Sequence, residues 1–150
     1  MRATKIIFIV LVFSLLLIGY ARKFKDRDPV PGKELTVASQ ADFDQMVLNS
    51  GVPVLVDFWA TWCPPCRAME PVVRDVSVEL DGLLRVAKVD VDNNQELAAS
   101  YKIESIPTFM IFHRGQVIAQ RVGGAADDEF RQWLADELGK AGVSINAPVM

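Results

Sequence analysis

Two cysteines and a single histidine are all the thiol and imidazole chemistry that 150 residues provide. One bridge cannot replace a core, so a disulfide-stapled miniprotein is excluded. A zinc centre needs about four ligands, and beyond the cysteine pair the chain offers only His113 and carboxylates. No metal is therefore expected. A Cys–His nucleophile has equally little support: His113 follows a long apolar run beside a tight turn, with no evident orienting partner, and reads as a solvated loop-edge residue. Basic charge is also scarce in most of the chain. After residue 27 there are 10 Lys or Arg against 18 Asp or Glu, a net of −8. Phosphate recognition needs a clustered basic surface, so nucleic-acid binding is not expected. Internal repeats and low-complexity tracts are absent, and 51% apolar with 23% charged residues suits one globular domain.

The first 27 residues differ, carrying six basic side chains and one acid. Between them Ile6–Ala21 reads IIFIVLVFSLLLIGYA, sixteen residues without a charge. As a helix this run spans about 24 Å, short of a hydrocarbon core of about 30 Å, and flanking Lys and Arg can snorkel to extend it. Residues 1–21 read as a retained signal anchor, with a cleaved signal peptide as the competing reading and a buried core helix as the plain one. Gly19 and Ala21 suit cleavage, whereas Arg22, Lys23, Lys25 and Arg27 directly after them do not. Taken literally, the positive-inside rule would hold the acidic body in the cytoplasm. The short, weakly basic start resembles an export signal, and the expectation adopted is a membrane-attached body on the extracytoplasmic, periplasmic side.

Residues 22–34 contain Pro29, Pro31 and Gly32 and read as a linker. Next come a short strand at Leu35–Val37 and a helix capped by Ser39, with Phe43, Met46 and Val47 at helical spacing. Residues 52–60, VPVLVDFWA, form a buried strand, and a helix starts near Pro65 and runs towards Leu80, kinked at Pro71. A strand at Leu83–Val91 and a short helix at Asn94–Tyr101 follow. Thr108–Phe112 and Val117–Val122 make a hairpin marked by Gly115. Last is an amphipathic helix over DDEFRQWLADELGK, with Gly139 as its stop. The order β-α-β-α-β-α-β-β-α predicts an α/β fold, a central mixed sheet with helices on both faces. Strands joined through helices are expected to be parallel. Residues 141–150 read as a tail without chemistry.

Both cysteines lie in Trp62-Cys63-Pro64-Pro65-Cys66, at a strand-to-helix junction. Spacing of i, i+3 on a first turn brings two sulfurs onto one face, close enough to bond. A helix N-terminus favours thiolate, so Cys63 is the expected attacking group. Cys66, one turn inward, would resolve the mixed disulfide. An inert structural disulfide is the bland alternative, but so small a loop gains little from closure. Asp57 interrupts an apolar strand, which is costly unless the acid is paired or functional; a strand-edge Asp facing water is the alternative. Lys88 interrupts another strand but snorkels easily. Trp62 could simply cover apolar surface.

VDFWATWCPPCRAMEP, VAKVDVDNN, YKIESIPTFMIFHRG and RVGGA, in this order, resemble the thioredoxin family over about residues 35–140. The resemblance implies the thioredoxin fold and thiol–disulfide exchange with protein substrates. It also implies a reducing electron donor, a monomer, and no cofactor beyond a redox-active Cys63–Cys66 disulfide. It places Asp57 beneath the cysteines as the carboxylate assisting Cys66, with Lys88 as its partner. Pro107, after Ile106, matches a cis-proline that contacts extended substrate. Trp59 and Trp62 match the flanking aromatics, and Gly123 matches a glycine of the substrate groove that Pro64, Pro65 and Ile106 would also border. The family usually has Gly-Pro between its cysteines. Pro64 removes one more N–H from the turn that would solvate the thiolate, so a reductase is expected rather than an oxidase. A non-catalytic binding module or chaperone is the rival reading, and peroxide chemistry lacks a further resolving cysteine.

Overall fold

Alternation along three strands builds two cores in one sheet. The computed structural model describes residues 33–145; the apolar run 6–21, residues 22–32 and residues 146–150 lie outside the described residues. Five strands, β1 (Leu35–Val37), β2 (Val54–Trp59), β3 (Arg85–Asp90), β4 (Thr108–His113) and β5 (Gln116–Val122), lie in the order β1-β3-β2-β4-β5. Leu55, Val86, Phe109 and Ile111 point to one face, where they pack on α2 (Pro64–Glu79) and α4 (Asp127–Lys140) through Met69, Val73, Val76, Phe130, Leu134 and Leu138. Val54, Val56, Phe58, Ala87, Val89, Met110 and Phe112 point to the other. There they meet Phe43 of α1 (Gln40–Phe43), Val47 just after it and Leu97 of α3 (Gln95–Ser100). Successive side chains leave a strand on opposite faces, so period-two burial on both sides is what a central strand requires.

The first helix is shorter than expected. Ser39 caps it, its hydroxyl accepting the Asp42 N–H at 3.2 Å, but after Phe43 the backbone widens into a π-helical turn over Asp44–Leu48. A second departure concerns direction. β1 and β2 run parallel to β3, whereas β4, also reached through a helix, runs antiparallel to β2. Six residues of α3 span about 9 Å, too little to carry the chain back along strands of about 20 Å. β4 therefore starts at the end where β3 finished, Thr108 facing Phe58.

The hairpin is tighter than its composition suggests. His113 pairs with Gln116, leaving Arg114 and Gly115 as a two-residue turn with φ of 53° and 75°. Positive φ at both positions is the twist-matched hairpin geometry. His113 is thus a strand residue, half-buried with its Nδ1 enclosed, not a solvated loop-edge histidine. α4 does not stop at Gly139. Gly142, with φ of 74°, takes the left-handed position; its N–H reaches the Gly139 carbonyl at 3.0 Å and the Val143 N–H the Leu138 carbonyl at 2.9 Å. Val143 and Ile145 then pack against the α2–α4 core.

At the opposite end of the described chain, Lys33 is already attached to the body. Its N–H bonds the buried Ser77 hydroxyl at 2.9 Å and its ammonium pairs with Asp81. Among the described residues no helix is long and apolar enough to cross a membrane.

Candidate active site

β2 ends at Trp59 and α2 begins after four intervening residues, so the first turn of α2 sits at the C-terminal edge of the parallel strands. Cys63 is the N-cap, with φ −91° and ψ 106°, held by its own N–H on the Ala60 carbonyl at 3.2 Å. Cys66 is the third helical residue. The two are bonded, with Cα atoms 5.3 Å apart. Pro64 and Pro65 carry no N–H. Consequently the Cys63 sulfur accepts a backbone bond from Cys66 N–H, at 3.2 Å, without help from the two residues between.

Ala60, Trp59, Val91 and Ile106 pack around the pair. Cys63 is 2% and Cys66 5% exposed, so in the bonded state both residues are buried. What distinguishes them is position: Cys63 caps the helix and receives the N–H, and Cys66 supplies it. The Ile106–Pro107 peptide is cis and Pro107 is buried. The Pro107 carbonyl accepts the Gly123 N–H at 2.8 Å, and Thr108 pairs with Val122, so residues 122–123 run beside the Pro107 turn. Gly123, with φ of 88°, holds a backbone position that L side chains disfavour.

Trp62 covers little surface. It is 63% exposed, and its indole Nε1 donates to Asp92 Oδ2 at 2.7 Å. Val122, 58% exposed, is a second apolar side chain left in solvent. Pro64 and Pro65 are exposed as well. Asp92 and Val122 were not picked out by sequence reasoning. Nothing in spacing links Trp62 to a residue thirty positions on; Val122 could have been noted as the residue between a strand and Gly123.

Asp57 does not face water. It is 4% exposed and shares the α2 face of the sheet with Leu55 and, two residues on, Trp59. Among the described residues its Oδ1 finds no hydrogen-bond partner. Burial pushes its pKa from 3.8 up to about 7; Lys88 opposes that rise, while Glu70 and Glu34 add to it. Lys88 is Asp57's register neighbour on β3, yet its ammonium lies 3.8 Å from Glu70 Oε1 and 4.4 Å from the centre of the Trp59 ring. Glu70 was missed from the sequence although Cys66 + 4 puts it one turn along the same flank of α2.

The thioredoxin family profile matches residues 34–136. Thioredoxin 1 of Nostoc sp. is 45% identical over 100 residues, 67% of this chain and 94% of the relative. Thioredoxin of Haemophilus influenzae is 41% identical over 105 residues, 70% of this chain and 98% of the relative. The chain belongs to the thioredoxin family. A bifunctional thioredoxin reductase/thioredoxin of Mycobacterium leprae is 43% identical over 98 residues, 65% of this chain and 21% of that larger protein.

This thioredoxin is a thiol–disulfide oxidoreductase whose redox group is the Cys63–Cys66 pair. That group belongs to the chain itself, and thioredoxins act with it on protein disulfides. Among the described residues no three His, Cys, Asp or Glu are grouped to hold a metal ion.

Proposed function

We propose that the protein is a disulfide reductase for protein clients, attached to a membrane through residues 6–21, monomeric, and with its thioredoxin domain on the extracytoplasmic, periplasmic side. The direction rests on the first turn of α2. A strong oxidant needs a reduced form whose thiolate is heavily stabilised. Here Pro64 and Pro65 withhold two N–H groups and leave that of Cys66. Charge on Cys63 is therefore only partly solvated by backbone, and the couple leans towards giving electrons.

In the cycle the Cys63 thiolate attacks one sulfur of a client disulfide, and a mixed disulfide forms. Cys66, losing its proton to Asp57, attacks Cys63 and expels the second client thiol. Lys88, the register neighbour of Asp57, tempers its proton affinity from a place beside Glu70. Ile106, Pro107 and Gly123 offer backbone to an extended client segment, with Trp59, Trp62, Pro64 and Pro65 bordering it. A reducing donor then restores the dithiol. The relative in which thioredoxin reductase and thioredoxin share one chain supports a donor of that class.

Equilibration of the full-length protein in thiol redox buffers tests the direction. A potential near about −270 mV is expected, and one near about −120 mV overturns it. In insulin reduction, Cys63→Ser abolishes turnover, and Cys66→Ser accumulates a client-linked mixed disulfide; full client binding by Cys63→Ser with unchanged function would instead mark a binding module.

A further inference from the structure

Two carboxylates compete for one lysine at this site, and the exposed one has it. We propose that Glu70 is a positioning residue for Asp57: it draws the Lys88 ammonium outward over Trp59 and leaves the buried carboxylate without an ion-pair partner. The inference rests on reading Asp57 as the proton acceptor for Cys66.

Register places Lys88 directly beside Asp57 on neighbouring parallel strands, about 4.8 Å apart along the hydrogen-bonding direction. A long flexible stem could turn the ammonium to either carboxylate. It lies instead 3.8 Å from Glu70 and 4.4 Å from the Trp59 ring centre, and Asp57 Oδ1 has no partner among the described residues. The physical preference is clear. Glu70 is exposed, so pairing there lets the ammonium keep part of its hydration, and the indole face adds a cation–π contact. Pairing with Asp57 would bury both charges, and desolvation can exceed the attraction gained.

Every charged group facing Asp57 bears on the outcome. Lys88 comes from β3, Glu70 from α2 and Glu34 from the residue before β1. β4 presents Phe109 opposite, which is uncharged. Glu70 acts twice in one direction, holding the cation away and adding a negative charge of its own. Both effects raise the proton affinity of Asp57, whose pKa stands at about 7.

The consequence lies in the resolving step. The Cys66 S–H passes its proton to the Asp57 carboxylate. The Cys66 thiolate then forms a bond to Cys63 Sγ as the Cys63–client bond breaks. That electron pair leaves on the client sulfur, which takes a proton from solvent, and Asp57 later returns its own to water. The client disulfide has gained two electrons and the dithiol has lost two. A carboxylate of higher proton affinity is the better acceptor for a thiol proton.

Carbon-13 NMR titration of the Asp57 carboxyl, on the full-length chain in a neutral detergent, tests this. In Glu70→Gln the midpoint is expected to fall by at least about half a pH unit. Repeated in a Lys88→Gln background, the same substitution lowers it by less than half as much, because most of the effect passes through the lysine. An unmoved midpoint in Glu70→Gln, or an equal fall in both backgrounds, overturns the proposal. The pH profile of insulin reduction is read separately. If Asp57→Asn leaves that profile unchanged, the proton-acceptor reading fails, whatever the titration says of Glu70.

Discussion

An aspartic acid with a pKa of about 7 in the fold and 3.8 outside it makes folding depend on pH. Between those values the folded protein holds a proton that the unfolded chain has lost. Stability therefore falls as pH rises from about 4 to about 7 and levels off above. The difference of about three pH units corresponds to about 4 kcal/mol. Asp57→Asn is expected to remove this dependence and to make the oxidised protein more stable at pH 8 by about 2–4 kcal/mol. Urea unfolding of both proteins at pH 5 and pH 8 checks it; equal stability at pH 8 would show that the carboxyl is solvated. At this scale the sequence was informative wherever a residue broke a pattern. Asp57 and Lys88 stood out because each interrupts an apolar strand. Glu70 and Asp92 interrupt no apolar strand, so one more acid draws no notice, and only coordinates join them to Lys88 and Trp62.

Whole strands and helices were legible for a related reason. β2, β3 and β4 are apolar runs buried on both faces and α2 carries a helical period, so all four emerge within a residue or two of their expected places. Periodicity does not see hydrogen-bond partners, and the π turn at Asp44–Leu48, which keeps Val47 buried like a helical residue, looks the same in the sequence as an α-helix. It also does not see strand direction, and so β4 was expected parallel. Turn chemistry carries more. Gly115 marked the hairpin, and the structure adds why it must be glycine: φ is 75°, and a Cβ would lie 3.1 Å from the Leu48 carbonyl oxygen. Gly115→Ala is expected to cost about 2 kcal/mol, from left-handed strain plus displacement of the backbone after the π turn. A urea midpoint like that of the parent would mean that the turn relaxes freely.

For the molecule as a whole, the family was the most legible feature, because four separated segments agree in order. Its attachment to a membrane is a reading of residues 6–21 and has its own test. The full-length protein is expected to sediment with membranes and to be digested by protease added to spheroplasts, and a chain lacking residues 1–21 is expected to stay in the soluble fraction. Protection of the domain from external protease would reverse the proposed side.

Lys33 enters the body where β1 begins, secured to Ser77 near the end of α2, whereas the cysteines open where β2 finishes. Ser77 lies fourteen residues along the helix from Cys63, which sets that anchor and the sulfurs about 20 Å apart. A disulfide that reaches Cys63 therefore meets the end of the helix remote from the contact that Lys33 makes.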